Sequence, residues 1–221
     1  HDETAVFTAS ADKTIRVWDA ATGACLSTIT GHSDCVRAIA ELPNVGVVTA
    51  ANDGLVKVWT MDGTCVHTLE GHNNFVYDVA VDPNTGIIAS AGEDRAVRVW
   101  KDMECVAVLE HPQTVWSVAF LANGDLISGC ADGVARVWDL RSAASGRAVA
   151  ELRYGATVAP YSLAWSPDGQ VLVTGTSRAS VDVHDVRMPG HRLDRLMAEQ
   201  LLDAPFGRLV HRCTSGVQQV R

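Results

Sequence analysis

GHNNFVYDVAVDPNTGIIASAGEDRAVRVW, residues 71–100, is the unit on which the chain is built. It opens on Gly71-His72, closes on a run ending in Trp100, and places Asp94 six residues before that Trp. The same ruler fits upstream, where Gly31-His32 leads to Asp53 and Trp59. Earlier still, Asp12 and Trp18 end a copy that has no Gly-His. Downstream it fits with one loss: His111 follows Glu110 rather than Gly, and Asp132 and Trp138 come after it. Trp18, Trp59 and Trp100 are each 41 residues apart, and Trp138 follows after 38.

A period of about 40 to 45 residues with an early Gly-His and a late Trp is the spelling of one four-stranded propeller blade. Each copy divides into short runs rich in β-branched residues, bounded by Gly, Asp and Asn turns, as antiparallel strands require. Residues 4–9, 14–18 and 24–29 give a first copy without its opening strand. Two complete copies follow, and a fourth runs from Val115 to Leu152. A fifth, divergent copy spans Tyr161 to Val186, with His184 in place of Trp, Arg178 in place of Asp, and Ala156 where the His should stand. Beyond it Leu193, Leu196, Met197 and Leu201 recur at helical spacing before Pro205, which predicts a short helix at about 191–203. His211–Arg221 reads as the opening strand of a further blade.

The pattern resembles the WD40 family. The expected fold is all-β, a WD40 β-propeller with about five blades in residues 1–186 and an irregular tail over 187–221 that holds the short helix. A propeller closes its ring so that no sheet edge is left open, so these copies are expected to belong to a seven- or eight-bladed ring, the alternatives being an unusual small ring of their own or a fusion of unlike segments near residue 139.

Composition narrows the classes. The 221 residues are 47% hydrophobic and 20% charged, as in an ordinary globular protein, with a net charge of −8 and a pI near 5.4. An acidic surface repels phosphate backbones, so direct nucleic-acid binding is not expected. No apolar run approaches the roughly 18 residues of a membrane span. Cys25, Cys65 and Cys105 sit at intervals of 40 in matching places, which suggests one small buried strand position used three times. Nothing resembles a CxxC or zinc-ligand spacing, so neither a metal nor a cofactor is expected. Free thiols imply a reducing compartment, cytoplasmic and also nuclear.

Each repeat has a Ser or Thr four residues before its Asp: Thr8, Thr49, Ser90 and Ser128 precede Asp12, Asp53, Asp94 and Asp132. With His32, His72 and His111, and with Trp18, Trp59, Trp100 and Trp138, they make a recurring polar set. Ser, His and Asp together bring a nucleophilic triad to mind. A catalytic site occurs once, however, whereas this set returns with every copy. It reads as a buried hydrogen-bond chain that satisfies groups the packing forces inside. There is no phosphate-cradling loop and no acid–base pair outside the repeat, so an enzyme is not expected.

Function is expected at the loops that precede each first strand and link the second strand to the third. Alignment puts Cys35 and Arg37, Phe75 and Tyr77, Thr114 and Trp116, and Ala159 and Tyr161 there, with Ala11, Asn52, Glu93 and Ala131 from the turns. Aromatic residues with Arg are the usual anchors of protein interfaces. The alternative is that some of these rings only pack the propeller's inner wall.

GHSDCVRAIA, AANDGLVKVW, the WKDMEC of residues 100–105 and a Gly-less His111 followed by TVW are similar to the last blades of the phospholipase-activating protein (PLAA) family, over about residues 10–138. That resemblance implies a ubiquitin-binding adaptor propeller, with Arg37, Phe75, Tyr77 and Trp116 as the ubiquitin contacts. It also implies a link to the AAA+ unfoldase valosin-containing protein. Residues 139–221 do not resemble the modules that follow the propeller in that family. A structural scaffold subunit in a large cytoskeletal, ciliary or ribosome-assembly complex is the competing reading.

Overall fold

Short strands with an Asp, Asn or Gly turn at each end pair with their neighbours in sequence, and the computed structural model arranges them as five antiparallel sheets. It describes residues 5–141, 148–166, 171–185 and 192–197. The first sheet has three strands, β1 (Ala5–Ala9), β2 (Ile15–Asp19) and β3 (Cys25–Ile29). The second is β4 (Val36–Leu42), β5 (Gly46–Ala51), β6 (Val56–Thr60) and β7 (Cys65–Leu69). The third is β8 (Val76–Val81), β9 (Ile88–Gly92), β10 (Ala96–Lys101) and β11 (Glu104–Glu110). The fourth is β12 (Val115–Phe120), β13 (Leu126–Cys130), β14 (Val134–Trp138) and β15 (Ala150–Arg153). The fifth is β16 (Pro160–Trp165), β17 (Val171–Thr176), β18 (Ser180–Asp185) and β19 (Arg192–Met197).

The sheets pack face to face like propeller blades. The leading strands β4, β8, β12 and β16 lie side by side, and β1 packs on β4. Apolar side chains fill each boundary. Ile15, Val17 and Ile29 of the first sheet meet Val36, Ile39 and Trp59 of the second, and Trp100 and Trp138 fill the next two boundaries in the same way. Polar ties cross the boundaries as well. The Val118 N–H donates to Asp78 Oδ2 at 3.0 Å, and the Leu163 N–H donates to Ser117 Oγ at 3.2 Å. Both acceptors are buried, so these bonds fix how one leading strand sits on the next.

Each leading strand skips one residue in its pairing. Val36 pairs Ala51 and Ala38 pairs Ala50, which leaves Arg37 out of the ladder. Tyr77, Trp116 and Tyr161 are skipped in the same way in β8, β12 and β16. The turn between second and third strands explains the bulge. The N–H groups of Asn52, Glu93, Ala131 and Ser177 donate to the carbonyls of Cys35, Phe75, Thr114 and Ala159 at 2.8–2.9 Å, just before each skipped residue. One residue of each turn is left-handed: Lys13, Gly54, Arg95, Gly133 and Ala179 have φ of 73, 80, 65, 82 and 54°.

Two expectations are corrected. The helix at about 191–203 is absent where the chain is described: Arg192–Met197 is strand β19, paired with β18 from Ser180↔Met197 to His184↔Arg192. A register shift between Val183 and His184 adds a residue there, and a bulged strand loses the period of two. Its apolar positions therefore imitate a helix. Residues 198–203 and the strand expected at His211–Arg221 lie outside the described residues. The repeated cysteines are not buried: Cys25, Cys65 and Cys105 are exposed free thiols. They lie at the start of β3, β7 and β11, the edge strands of their sheets. Each Sγ reaches the carbonyl two residues on, at 3.5–3.6 Å, across another bulge.

Candidate functional site

The recurring polar set forms in full in the second and third blades. In the second, Trp59 Nε1–H donates to Thr49 Oγ1 at 2.8 Å, and His32 Nε2 lies 2.8 Å from the same oxygen. His32 Nδ1 is 2.8 Å from Asp53 Oδ2. A carboxylate only accepts, so Nδ1 carries the proton and the Thr49 hydroxyl donates to Nε2. In the third, Trp100 donates to Ser90 at 2.9 Å, with His72 2.7 Å from Ser90 and 2.9 Å from Asp94 Oδ2. The His32 and Asp53 side chains are 0% and 4% exposed. Burial lowers the pKa of His32 despite the Asp53 carboxylate beside it. Burial raises Asp94, but the bonds from His72, Asn73 N–H and Ala96 N–H outweigh it and leave its pKa lowered.

The fourth blade departs from the sequence reading. Trp138 and His111 reach Ser128 at 2.9 and 2.7 Å, but His111 Nδ1 bonds the Leu109 carbonyl at 2.9 Å and not Asp132. Asp132 is held by Arg136 at 2.6 and 3.2 Å. The missing glycine accounts for this. A Cβ at Gly31 would stand 2.8 Å from the Trp59 ring, so only Gly brings the chain that close over the indole. Glu110 instead prolongs β11, and the ring of His111 is presented differently. In the first blade Trp18 bonds Thr8 at 2.8 Å while Asp12 pairs with Arg16 at 3.0 Å, with no His among the described residues.

Burial pushes His111 down to about 4, and the Arg136 cation adds to this against the Leu109 carbonyl. An unfolded His titrates near 6.5, so between about pH 6.5 and about pH 4 only the unfolded chain takes up this proton. Stability is then expected to fall as pH falls through that window. Urea midpoints measured from pH 7 to pH 4 check it, and His111→Gln should flatten the slope.

In the fifth blade the structure reveals a substitution the spacing did not show. Ala156 does not stand in for His. Tyr154 Oη lies 2.8 Å from Thr174 Oγ1, and the Tyr154 and His184 rings meet edge to face at 5.4 Å, where His111 and Trp138 meet tilted at 5.2 Å. Burial pushes the Tyr154 phenol up to about 12. A longer leading loop puts Tyr154 20 residues before its Thr, where the histidines stand 17 or 18 before theirs. A ruler fixed on Gly-His therefore misses it.

The opposite requirement, side chains left free of the ladder, produces the second assembly. The four skipped residues project from adjacent leading strands and touch in a row. Tyr77 stacks on Trp116 with centroids 4.7 Å apart and planes 29° apart, and Trp116 meets Tyr161 edge-on at 5.1 Å. The Arg37 guanidinium sits 5.8 Å above the Tyr77 ring, and Phe75 abuts Tyr77 at 6.4 Å. Asn52 and Glu93 brace the row. Arg37 Nε–H donates to Asn52 Oδ1 at 2.8 Å, and the Tyr77 hydroxyl donates to Glu93 Oε2 at 3.2 Å. Burial, then the Glu93 charge, raises the Tyr77 pKa. Phe75 and Tyr161 are 36% and 43% exposed. Of the expected face residues, Cys35, Thr114 and Ala159 stay out of the row; their carbonyls serve the turn bonds from Asn52, Ala131 and Ser177.

Comparison with known proteins follows the same repeat. The family model "WD domain, G-beta repeat" matches residues 1–19, 23–60, 63–101, 103–139 and 150–184. The ubiquitin homeostasis protein lub1 of Schizosaccharomyces pombe is 42% identical over 114 residues, 51% of this chain and 16% of that protein. This match supports the resemblance to the phospholipase-activating protein propeller. Autophagy-related protein 16 of Arabidopsis thaliana is 28% identical over 198 residues, 82% of this chain and 39% of that protein. The nuclear distribution protein PAC1 of Mycosarcoma maydis is 56% identical over 39 residues, 18% of this chain and 9% of that protein. The chain thus spans well under two thirds of the length of the relatives it matches.

Proposed function

Given that the chain belongs to the WD domain, G-beta repeat (WD40) family, we propose that it is a non-catalytic protein-interaction module whose loop face binds ubiquitin, as an adaptor propeller of the phospholipase-activating protein type. The observation behind this is the row Arg37–Tyr77–Trp116–Tyr161, four neighbouring side chains outside the ladder and outside the core. Stacked aromatics beside a guanidinium suit an apolar patch on a folded partner, because they offer large rigid area at little entropic cost. The relative named for ubiquitin homeostasis makes ubiquitin the first partner to test.

The buried polar set argues against chemistry, since its members recur in two blades with the same geometry and little exposure. The link to the unfoldase rests on the resemblance alone. The free thiols at Cys25, Cys65 and Cys105 favour a reducing compartment, and we place the protein in the cytoplasm and nucleus.

Titration of labelled mono-ubiquitin followed by NMR tests the reading. Saturable shifts are expected, with an affinity in the range of about 10 to 500 μM for a single small surface. Trp116→Ala should weaken binding by at least about tenfold, as removal of a central aromatic anchor does. No shifts up to millimolar ubiquitin, with the fold intact by circular dichroism, would reject it.

A further inference from the structure

Of the six tryptophans in the chain, four use their indole N–H in the same way. Trp18, Trp59, Trp100 and Trp138 donate to Thr8, Thr49, Ser90 and Ser128 at 2.8–2.9 Å. Trp116 does not. Its Nε1 is shut off from solvent and has no hydrogen-bond partner among the described residues. An enclosed donor without an acceptor is a standing cost, because it has lost water and gained no oxygen. The ring of Tyr161, which Trp116 meets edge to face, is a poor substitute, since a π face is a weak acceptor. Trp165 Nε1 is in the same condition, but Trp165 ends β16, at the opposite end from Tyr161, and leads toward residues outside those described.

Trp116 also lacks the brace that its neighbours have. The residue before each turn aspartate supplies it: Asn52 Oδ1 accepts from Arg37 Nε–H, and Glu93 Oε2 accepts from the Tyr77 hydroxyl. The matching residue of the fourth blade is Ala131, whose methyl group can accept nothing. The Trp116 ring is instead set against Tyr77 at 4.7 Å and Tyr161 at 5.1 Å. Its backbone is skipped by the β12–β13 ladder, so ring and backbone can shift there without breaking a strand pair.

We propose that Trp116 is the specificity-determining residue of this face: its indole turns out of its packed place and donates to a neutral backbone carbonyl of the partner, while the ring covers the apolar side chain beside that carbonyl. Nε1 is enclosed as the row stands, so the bond requires the turn. Making it removes a cost already present in the free protein, which favours partners that present an acceptor over equally apolar ones that do not. A neutral carbonyl suits the place better than a carboxylate, because Glu93 beside Tyr77 accepts from a neutral phenol and keeps its charge. The inference rests on the row being the binding face, as proposed above, and not on ubiquitin being its occupant.

Replacing Trp116 by benzothienylalanine keeps the bicyclic ring and puts sulfur in place of the N–H. In the free chain this exchange is expected to leave the urea midpoint unchanged or raised. The same exchange at Trp138 should lower it, since Ser128 then loses a donor. Ubiquitin titrations followed by NMR should show binding to the Trp116 variant weakened by about fivefold, the effect of one net hydrogen bond. In the unaltered chain ubiquitin should move the Trp116 indole proton downfield. Excess N-acetyl-leucine methylamide, a leucine side chain flanked by two carbonyls, should move the same proton without ubiquitin. Equal affinity of ubiquitin for variant and unaltered chain overturns the donor proposal and keeps the ubiquitin reading. No ubiquitin binding, with the indole proton moved by the leucine amide, removes ubiquitin and keeps the donor. An indole proton moved by neither probe, or a free-chain midpoint lowered as at Trp138, overturns the proposal.

Discussion

Trp59→Ala is expected to lower the free energy of unfolding by about 3–5 kcal/mol, the usual cost of truncating a large buried aromatic. Trp59 is 1% exposed and fills the boundary between the first two blades, against Ile15, Val17, Ile29 and Val36. Its indole N–H ends the chain that runs through Thr49 and His32 to Asp53. Removing the ring empties the boundary and also leaves the Thr49 oxygen short of a donor. Trp59→Phe separates the two effects, since it keeps most of the packing and should cost only about 1–2 kcal/mol. Trp18→Ala is the control. Trp18 makes the same bond to Thr8 but is only half-buried, so its loss should cost clearly less. Urea midpoints for the three variants check the order. A Trp59→Ala midpoint no lower than that of Trp18→Ala would mean that this boundary is not where the stability resides.

Gly133→Ala is expected to cost about 3 kcal/mol, for two additive reasons. The residue is left-handed, with φ of 82°, a conformation that disfavours any Cβ. A Cβ there would also stand 2.1 Å from the Gly155 carbonyl oxygen, which belongs to the backbone leading into the next blade and cannot turn aside. The matching residue in the second blade shows only the first effect. A Cβ at Gly54 finds its nearest neighbours at 3.4 and 3.5 Å, so Gly54→Ala should cost about 1 kcal/mol. Arg95 already bears a side chain in that conformation, and Arg95→Gly is expected to be neutral or mildly stabilising. Thermal midpoints of these three variants test the account. Equal losses for Gly133→Ala and Gly54→Ala would contradict the steric argument.

The spacing of Gly-His, Asp and Trp made the blades and the polar chains of the second and third blades legible before any coordinates. Aligning the leading strands on that spacing also put Arg37, Tyr77, Trp116 and Tyr161 at one register, the position that the recurring bulge leaves out of the ladder. What stayed hidden depends on competition between side chains. Asp132 could serve His111 or Arg136, and only the geometry around Glu110 shows that Arg136 holds it. Tyr154 replaces a histidine from a loop two or three residues longer, so its register is lost to any fixed interval. β19 imitates a helix for a related reason: a bulge erases the alternation that marks a strand.

The skipped residues of β4, β8, β12 and β16 have a consequence for how such a surface can change. Because their backbones sit outside the pairing ladder, the sheets impose no demand on which side chains occupy those positions. Variation can therefore alter what this surface prefers to hold while the framework beneath keeps its shape. Divergence of specificity and preservation of architecture are, at these four places, independent of each other.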